Sequence, residues 1–275
     1  MTFFSVSSLS MVFGGLKALD GISFDVDQGE VFAIIGPNGA GKTTLFNCIN
    51  GIYPPSSGTV TFKGVNMVGK KPDRVARAGI ARTFQNIELF DRMNTMENIM
   101  VGRHLFMKTG LFRGGFMWGK RSFAGKEEQA HRRKVEEIID LLELQVVRNS
   151  FVGALPYGTR KKIELGRALA AEPELLLLDE PCAGMNAEEK QDMVFWIKDI
   201  QDELGVTILL IEHDMSMVMD ISDRILALNF GKTITIGTPD QVRCHPEVLK
   251  AYLGEDEQVQ DATCDIQATD SDGKA

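Results

Sequence analysis

Val31-Phe-Ala-Ile-Ile35-Gly36-Pro37-Asn38-Gly39-Ala40-Gly41-Lys42-Thr43-Thr44 is the stretch on which the reading of this chain turns. Five consecutive apolar residues predict a strand buried on both faces, and the segment from Lys42 to Asn50 predicts a helix. Between them Gly36, Gly41, Lys42 and Thr43 fit the G-x-x-x-x-G-K-[ST] spacing of a phosphate-binding loop in the setting it requires, strand before and helix after. Glycines let successive backbone N–H groups and the helix N-terminus face an anion. Lys42 supplies charge to the outer phosphates, and Thr43 is placed to bind the Mg²⁺ that accompanies them.

A second apolar run, Leu175 to Leu178, ends in Asp179-Glu180. Consecutive strand side chains point to opposite faces, so the two acids have different tasks. Asp179 suits the magnesium shell and Glu180 suits the polarisation of an attacking water, the division phosphoryl transfer needs. A third run, Ile208 to Ile211, delivers Glu212-His213-Asp214 to the same edge of the sheet, where His213 is either structural or a γ-phosphate sensor. Gln85 is polar and lies near the boundary of the following helical region. Phe13 is either a core aromatic or a flat surface for a base.

Residues 22–26 alternate as a half-exposed strand, a turn at Pro54 to Gly58 precedes another at 59–63, and Met96 to Leu155 is predominantly helical, with Val135, Ile138, Ile139 and Leu142 on one face. Ala187 to Leu204 is amphipathic and joins two buried strands, which predicts a parallel sheet. Short strands follow through Thr235, then one helix over Pro239 to Leu253, then an acidic, unstructured tail. The formal charge of -8 lies mostly in that tail, so the body is near neutral and gives no footprint for nucleic acid. The N-terminus does not fit a secretory signal, no apolar run is long enough to cross a bilayer, and the scattered Cys48, Cys182, Cys244 and Cys264 fit idle thiols in a reducing compartment.

These segments in this order resemble the ABC ATPase family over about residues 5 to 254. The resemblance implies an α/β fold: a P-loop (RecA-like) core with an antiparallel β subdomain and an inserted helical subdomain at about 86–159, leaving 255–275 as the tail. It also implies a head-to-tail dimer holding two ATP molecules. In such a dimer Phe13 stacks on adenine, Gln85 binds Mg²⁺ and senses the transporter, Glu180 is the general base and His213 contacts the γ-phosphate. Leu155, Pro156, Tyr157, Gly158 and Asn186 complete the opposite site in trans. Arg82-Thr-Phe-Gln85-Asn-Ile-Glu-Leu-Phe90, Ala183-Gly-Met-Asn186 and Val248 to Gly254 look like the branched-chain amino-acid branch. The implied partners are two transmembrane permeases, a second ATPase subunit (related or identical) and, indirectly, an extracytoplasmic binding protein, at the cytoplasmic face of a bacterial inner membrane. Related importers of urea, amides or other amino acids, and a soluble ABC ATPase, are the alternatives. Leu155-Pro-Tyr-Gly-Thr159 departs from the usual Leu-Ser-Gly-Gly-Gln, since Pro156 removes a hydroxyl and an N–H. Asn186 replaces a common Asp, and both changes suggest a heterodimer with unequal sites. The stretch from His104 to Gly125, aromatic and basic, is either a permease dock or an irregular insertion.

Overall fold

The computed structural model describes residues 2–83, 87–107 and 123–253. In chain order the elements are β1 (Phe4–Phe13), β2 (Leu16–Val26), β3 (Val31–Ile35), α1 (Lys42–Ile49), β4 (Ser57–Phe62), β5 (Val65–Asn66), α2 (Pro72–Arg77), β6 (Ile80–Arg82) and α3 (Thr95–Gly102). Then follow α4 (Phe123–Leu141), α5 (Tyr157–Leu169), β7 (Leu175–Asp179), α6 (Ala187–Leu204), β8 (Thr207–Ile211), α7 (Met215–Ile221), β9 (Arg224–Asn229), β10 (Lys232–Gly237), α8 (Pro239–Arg243) and α9 (Pro246–Leu253).

A six-stranded sheet runs in the order β10-β9-β3-β8-β7-β6, parallel except for β10 against β9. Strand parity builds its two faces. Leu176, Leu178, Ile208 and Leu210 pack with Met193, Trp196, Ile197 and Ile200 of α6 and with the helical region. Leu175, Leu177, Leu209 and Ile211 point the other way, onto Leu45, Phe46 and Ile49 of α1 and the inner face of the second sheet. That second sheet, β2-β1-β4-β5, is antiparallel throughout. Parallel strands buried on both faces need unbroken apolar runs, which is why β3, β7 and β8 are legible in the sequence.

The structure corrects two expectations. The alternation seen at 22–26 is only the end of the 11-residue strand β2, whose register against β1 shifts repeatedly. Bulges of this kind break the period-2 signal. The single helix expected over Pro239 to Leu253 is two, α8 and α9, because Pro246 has no N–H for the helical ladder and starts a new first turn instead. Cys48 and Cys182 are free and buried.

Candidate functional site

The loop after β3 is pinned from behind. Gly41 caps α1 with φ 102°, a value that suits glycine, and an added Cβ there would lie 2.6 Å from the Ala18 carbonyl oxygen of β2. Gly231, in the β9–β10 turn, approaches the same Ala18 oxygen, and its N–H donates to Ala40 O at 3.0 Å. The phosphate loop is therefore clamped between the antiparallel sheet and the end of the parallel one. Lys42 is buried, and its Nζ donates to Gly36 O at 2.6 Å and Pro37 O at 3.1 Å. Burial pushes the Lys42 ammonium below its ordinary pKa, while the Glu180 and Asp179 charges pull it back up. Thr43 is exposed and Thr44 half-buried.

A cavity of about 470 Å³ opens over this loop, lined among others by Phe13, Asn38 to Thr44, Glu180 and Phe230. Phe13 is 40% exposed and stands edge-on to Tyr53 at 5.4 Å, so one ring face is available to a flat ligand. Glu180 is half-buried at φ 50°, an unusual backbone conformation for a side chain of its kind, held by its N–H donating to Ile211 O at 2.9 Å. That turn separates it from Asp179, which shares the α1 face with Leu177 and is 1% exposed. Asp179 Oδ2 accepts from Arg82 Nη2 at 2.6 Å, and Oδ1 is buried with no hydrogen-bond partner. Burial raises the Asp179 pKa, and the hydrogen bond and charge of Arg82 oppose it. Among the described residues no cluster of three His, Cys, Asp or Glu side chains forms a resident metal site.

His213 sits at the end of β8 with its side chain 58% exposed, next to the buried Glu212. Glu212 Oε1 accepts from the Cys182 N–H at 2.9 Å and Oε2 from the His213 N–H at 3.0 Å, fixing the loops after β7 and β8 against each other. Gln85 lies outside the described residues, as does most of the stretch from 104 to 125. Leu155, Pro156, Tyr157, Gly158 and Asn186 do not line the cavity. Pro156 is the N-cap of α5 and provides no side-chain cap. Asn186 is the N-cap of α6, its side chain accepting from Glu189 N–H while the Glu189 carboxylate accepts from Asn186 N–H. A Cβ on Gly158 would collide with that same carboxylate.

Residues 19–183 match the family model described as ABC transporter. The chain belongs to that family. A shorter match, residues 232–258, is to the model described as branched-chain amino acid ATP-binding cassette transporter. The ABC chain is 41% identical over 250 residues to the high-affinity branched-chain amino acid transport ATP-binding protein BraF of Pseudomonas aeruginosa, covering 91% of this chain and 97% of that one. It is 42% identical over 253 residues to LivG of Escherichia coli, a protein of the same description, with 91% and 97% covered. Two solved ATP-binding cassettes of ABC transporters, one nucleotide-free and one in an ADP conformation, each superpose with a TM-score of 0.80 at 30% identity, over 93% of this chain and all of theirs. The family and fold expected from the motifs hold, and this ABC transporter subunit is an ATPase. Three residues at its site escaped the sequence reading as site residues: Arg82, Glu212 and Phe230. Arg82 and Glu212 act through contacts distant in sequence, which no local pattern reports. Phe230 stands 83% exposed in a turn, where an isolated aromatic carries no signal.

Proposed function

We propose that this ABC subunit hydrolyses ATP to power an importer of branched-chain or related hydrophobic amino acids. The observation that carries it is the convergence of Lys42, Thr43 and Glu180 on one cavity with Asp179 beside them. The descriptions of BraF and LivG support the substrate class. In the proposed reaction Phe13 stacks on adenine, and the N–H groups from Gly36 to Thr44, with Lys42, hold the phosphates. Glu180, set apart from Asp179 by its turn, polarises the attacking water, and His213 and Gln85 complete the γ-phosphate end. The unpaired, buried Oδ1 of Asp179 fits a magnesium shell; Thr43, Asp179 and Gln85 would hold the ion, whose charge would offset that of the phosphates.

Leu155 to Gly158 and Asn186 lie off this cavity, which supports a site completed by a second ATPase subunit. Pro156 removes a hydroxyl and an N–H from the segment that would meet the partner's nucleotide, and on that ground the dimer we propose is a heterodimer with unequal sites. No described helix is long and apolar enough to cross a membrane. The chain in this reading works with two permeases and an extracytoplasmic binding protein, peripherally at the cytoplasmic face. Its working domain spans 1–254, with the helical subdomain near 86–159. Glu180→Gln should lower hydrolysis by ~10²–10⁴-fold while ATP still binds. Transport assays in reconstituted vesicles test the rest, and hydrolysis untouched by Glu180→Gln would defeat the assignment.

A further inference from the structure

We propose that Arg82 is a positioning residue of the magnesium site, bridging the acidic strand end to the helix that carries Lys42 and Thr43. The inference rests on the ATPase reading above. Arg82 ends β6, the edge strand beside β7, and its side chain is 4% exposed. One guanidinium nitrogen, Nη2, donates to Asp179 Oδ2 at 2.6 Å. The second terminal nitrogen, Nη1, donates to Asn47 Oδ1 at 2.7 Å, and Asn47 lies in α1 one turn and a half beyond Lys42. The guanidinium also lies 5.5 Å from the Phe46 ring centre, which holds its plane. The next residue braces the same corner, because Thr83 N–H donates to Leu177 O at 2.9 Å and the Thr83 hydroxyl accepts from Asp179 N–H at 3.4 Å.

Two consequences follow for the metal. With Oδ2 committed to Arg82, Oδ1 is the oxygen left for a bound ion, which would give the Asp179 carboxylate a single orientation towards it. Because α1 is tied to the same guanidinium, Thr43 and Asp179 cannot drift apart without breaking a buried bond. A planar fork reaches two partners in fixed directions, which a lysine ammonium does not reproduce. Partners of this kind around metal-binding groups are worth about 10–100-fold in metal affinity.

A bland counter-ion role for Arg82 would weaken folding and all nucleotide binding alike, whereas the bridging role acts on the magnesium-dependent part. The test is a fluorescent ATP analogue titrated onto the purified chain in EDTA and then with increasing Mg²⁺, for wild type, Arg82→Gln, Arg82→Lys, Asn47→Ala and the Gln/Ala double variant. Expected for Arg82→Gln are affinity in EDTA within about threefold of wild type and a half-saturating Mg²⁺ concentration raised about 10–100-fold. Arg82→Lys falls between. Asn47→Ala raises the requirement less, and the double variant is no worse than Arg82→Gln, because the link is already cut. A Mg²⁺ requirement unchanged in Arg82→Gln, or lost affinity in EDTA equal to that with Mg²⁺, overturns the proposal. Should Arg82→Gln not fold, an unchanged requirement in Asn47→Ala decides against it equally. Wild type that bound no Mg-ATP would instead sink the ATPase reading.

Discussion

Alanine at Gly41 and alanine at Gly39 give a paired test of how the phosphate loop is held. Both glycines have positive φ, 102° and 82°, so each substitution carries backbone strain of about 1–2 kcal/mol. Their surroundings differ. A Cβ at Gly39 meets nothing within 4 Å, whereas one at Gly41 comes within 2.6 Å of Ala18 O and 2.9 Å of Leu19 Cδ2. Ala18 has little room to withdraw, because Gly231 closes on its other side and Asp20 N–H donates to Gly231 O at 2.8 Å. Overpacking against such a wall costs about 1–3 kcal/mol more. At about 2–4 °C per kcal/mol for a chain of this size, Gly41→Ala should melt about 2–12 °C below Gly39→Ala. The melting is measured without nucleotide, so that contacts to phosphate do not enter. Nucleotide affinity should also fall further in Gly41→Ala, since the loop must move to accept the methyl group. Two variants that melt together would refute the clamp, and with it the view that the antiparallel sheet sets the loop's shape.

Pro156→Ser gives α5 the side-chain cap it lacks, worth about 1 kcal/mol, against about 0.4–1 kcal/mol of lost proline rigidity. The melting temperature should barely move while hydrolysis by the assembled transporter rises, and a large change in melting with no change in rate would contradict the trans role. Asp214 caps α7 and pairs with Lys190 at 2.7 Å, and the Lys190 hydrogen bond holds its carboxyl below the usual range. A depressed folded pKa stabilises above the unfolded value of about 3.9 and is lost as pH falls through the folded one. The stability gap between wild type and Asp214→Ala, about 0.5–2 kcal/mol, should therefore be flat from about pH 8 to pH 5 and shrink only below pH 4, as chemical denaturation will report.

The parallel core was legible because β3, β7 and β8 are buried on both faces and their apolar runs stop abruptly at Gly36, Asp179 and Glu212. Asp179 and Glu180 could be separated from the pattern alone, although the reason is more than strand parity: the chain leaves the strand at Glu180 with φ 50°. Helix starts were also written locally. Asn186 with Glu189 and Asn94 with Glu97 form capping boxes, and the first of these shows that Asn at 186 costs α6 nothing, since Asn and Asp cap equally well. What stayed hidden was long-range. β1 carries register shifts that erase its alternation, and Arg82 gives no sign in sequence of a partner 97 residues away.

The segment after Glu180 joins the two halves of the site with little slack. Cys182 N–H is held by Glu212, whose other oxygen accepts from His213, so the loops proposed to polarise the water and to sense the phosphate share one buried carboxylate. Two residues on, Gly184 lies under the Tyr157 ring, where a Cβ would come within 3.2 Å of it. Asn186 then starts α6, and its capping partner Glu189 rests on Gly158. Tyr157 and Gly158 open α5, so the span from Glu180 to Glu189 contacts the helix start that faces a partner's nucleotide in the proposed dimer. Packed interiors yield in discrete steps rather than by gradual deformation, so any rearrangement at Glu180 must be absorbed within that span or passed to α5.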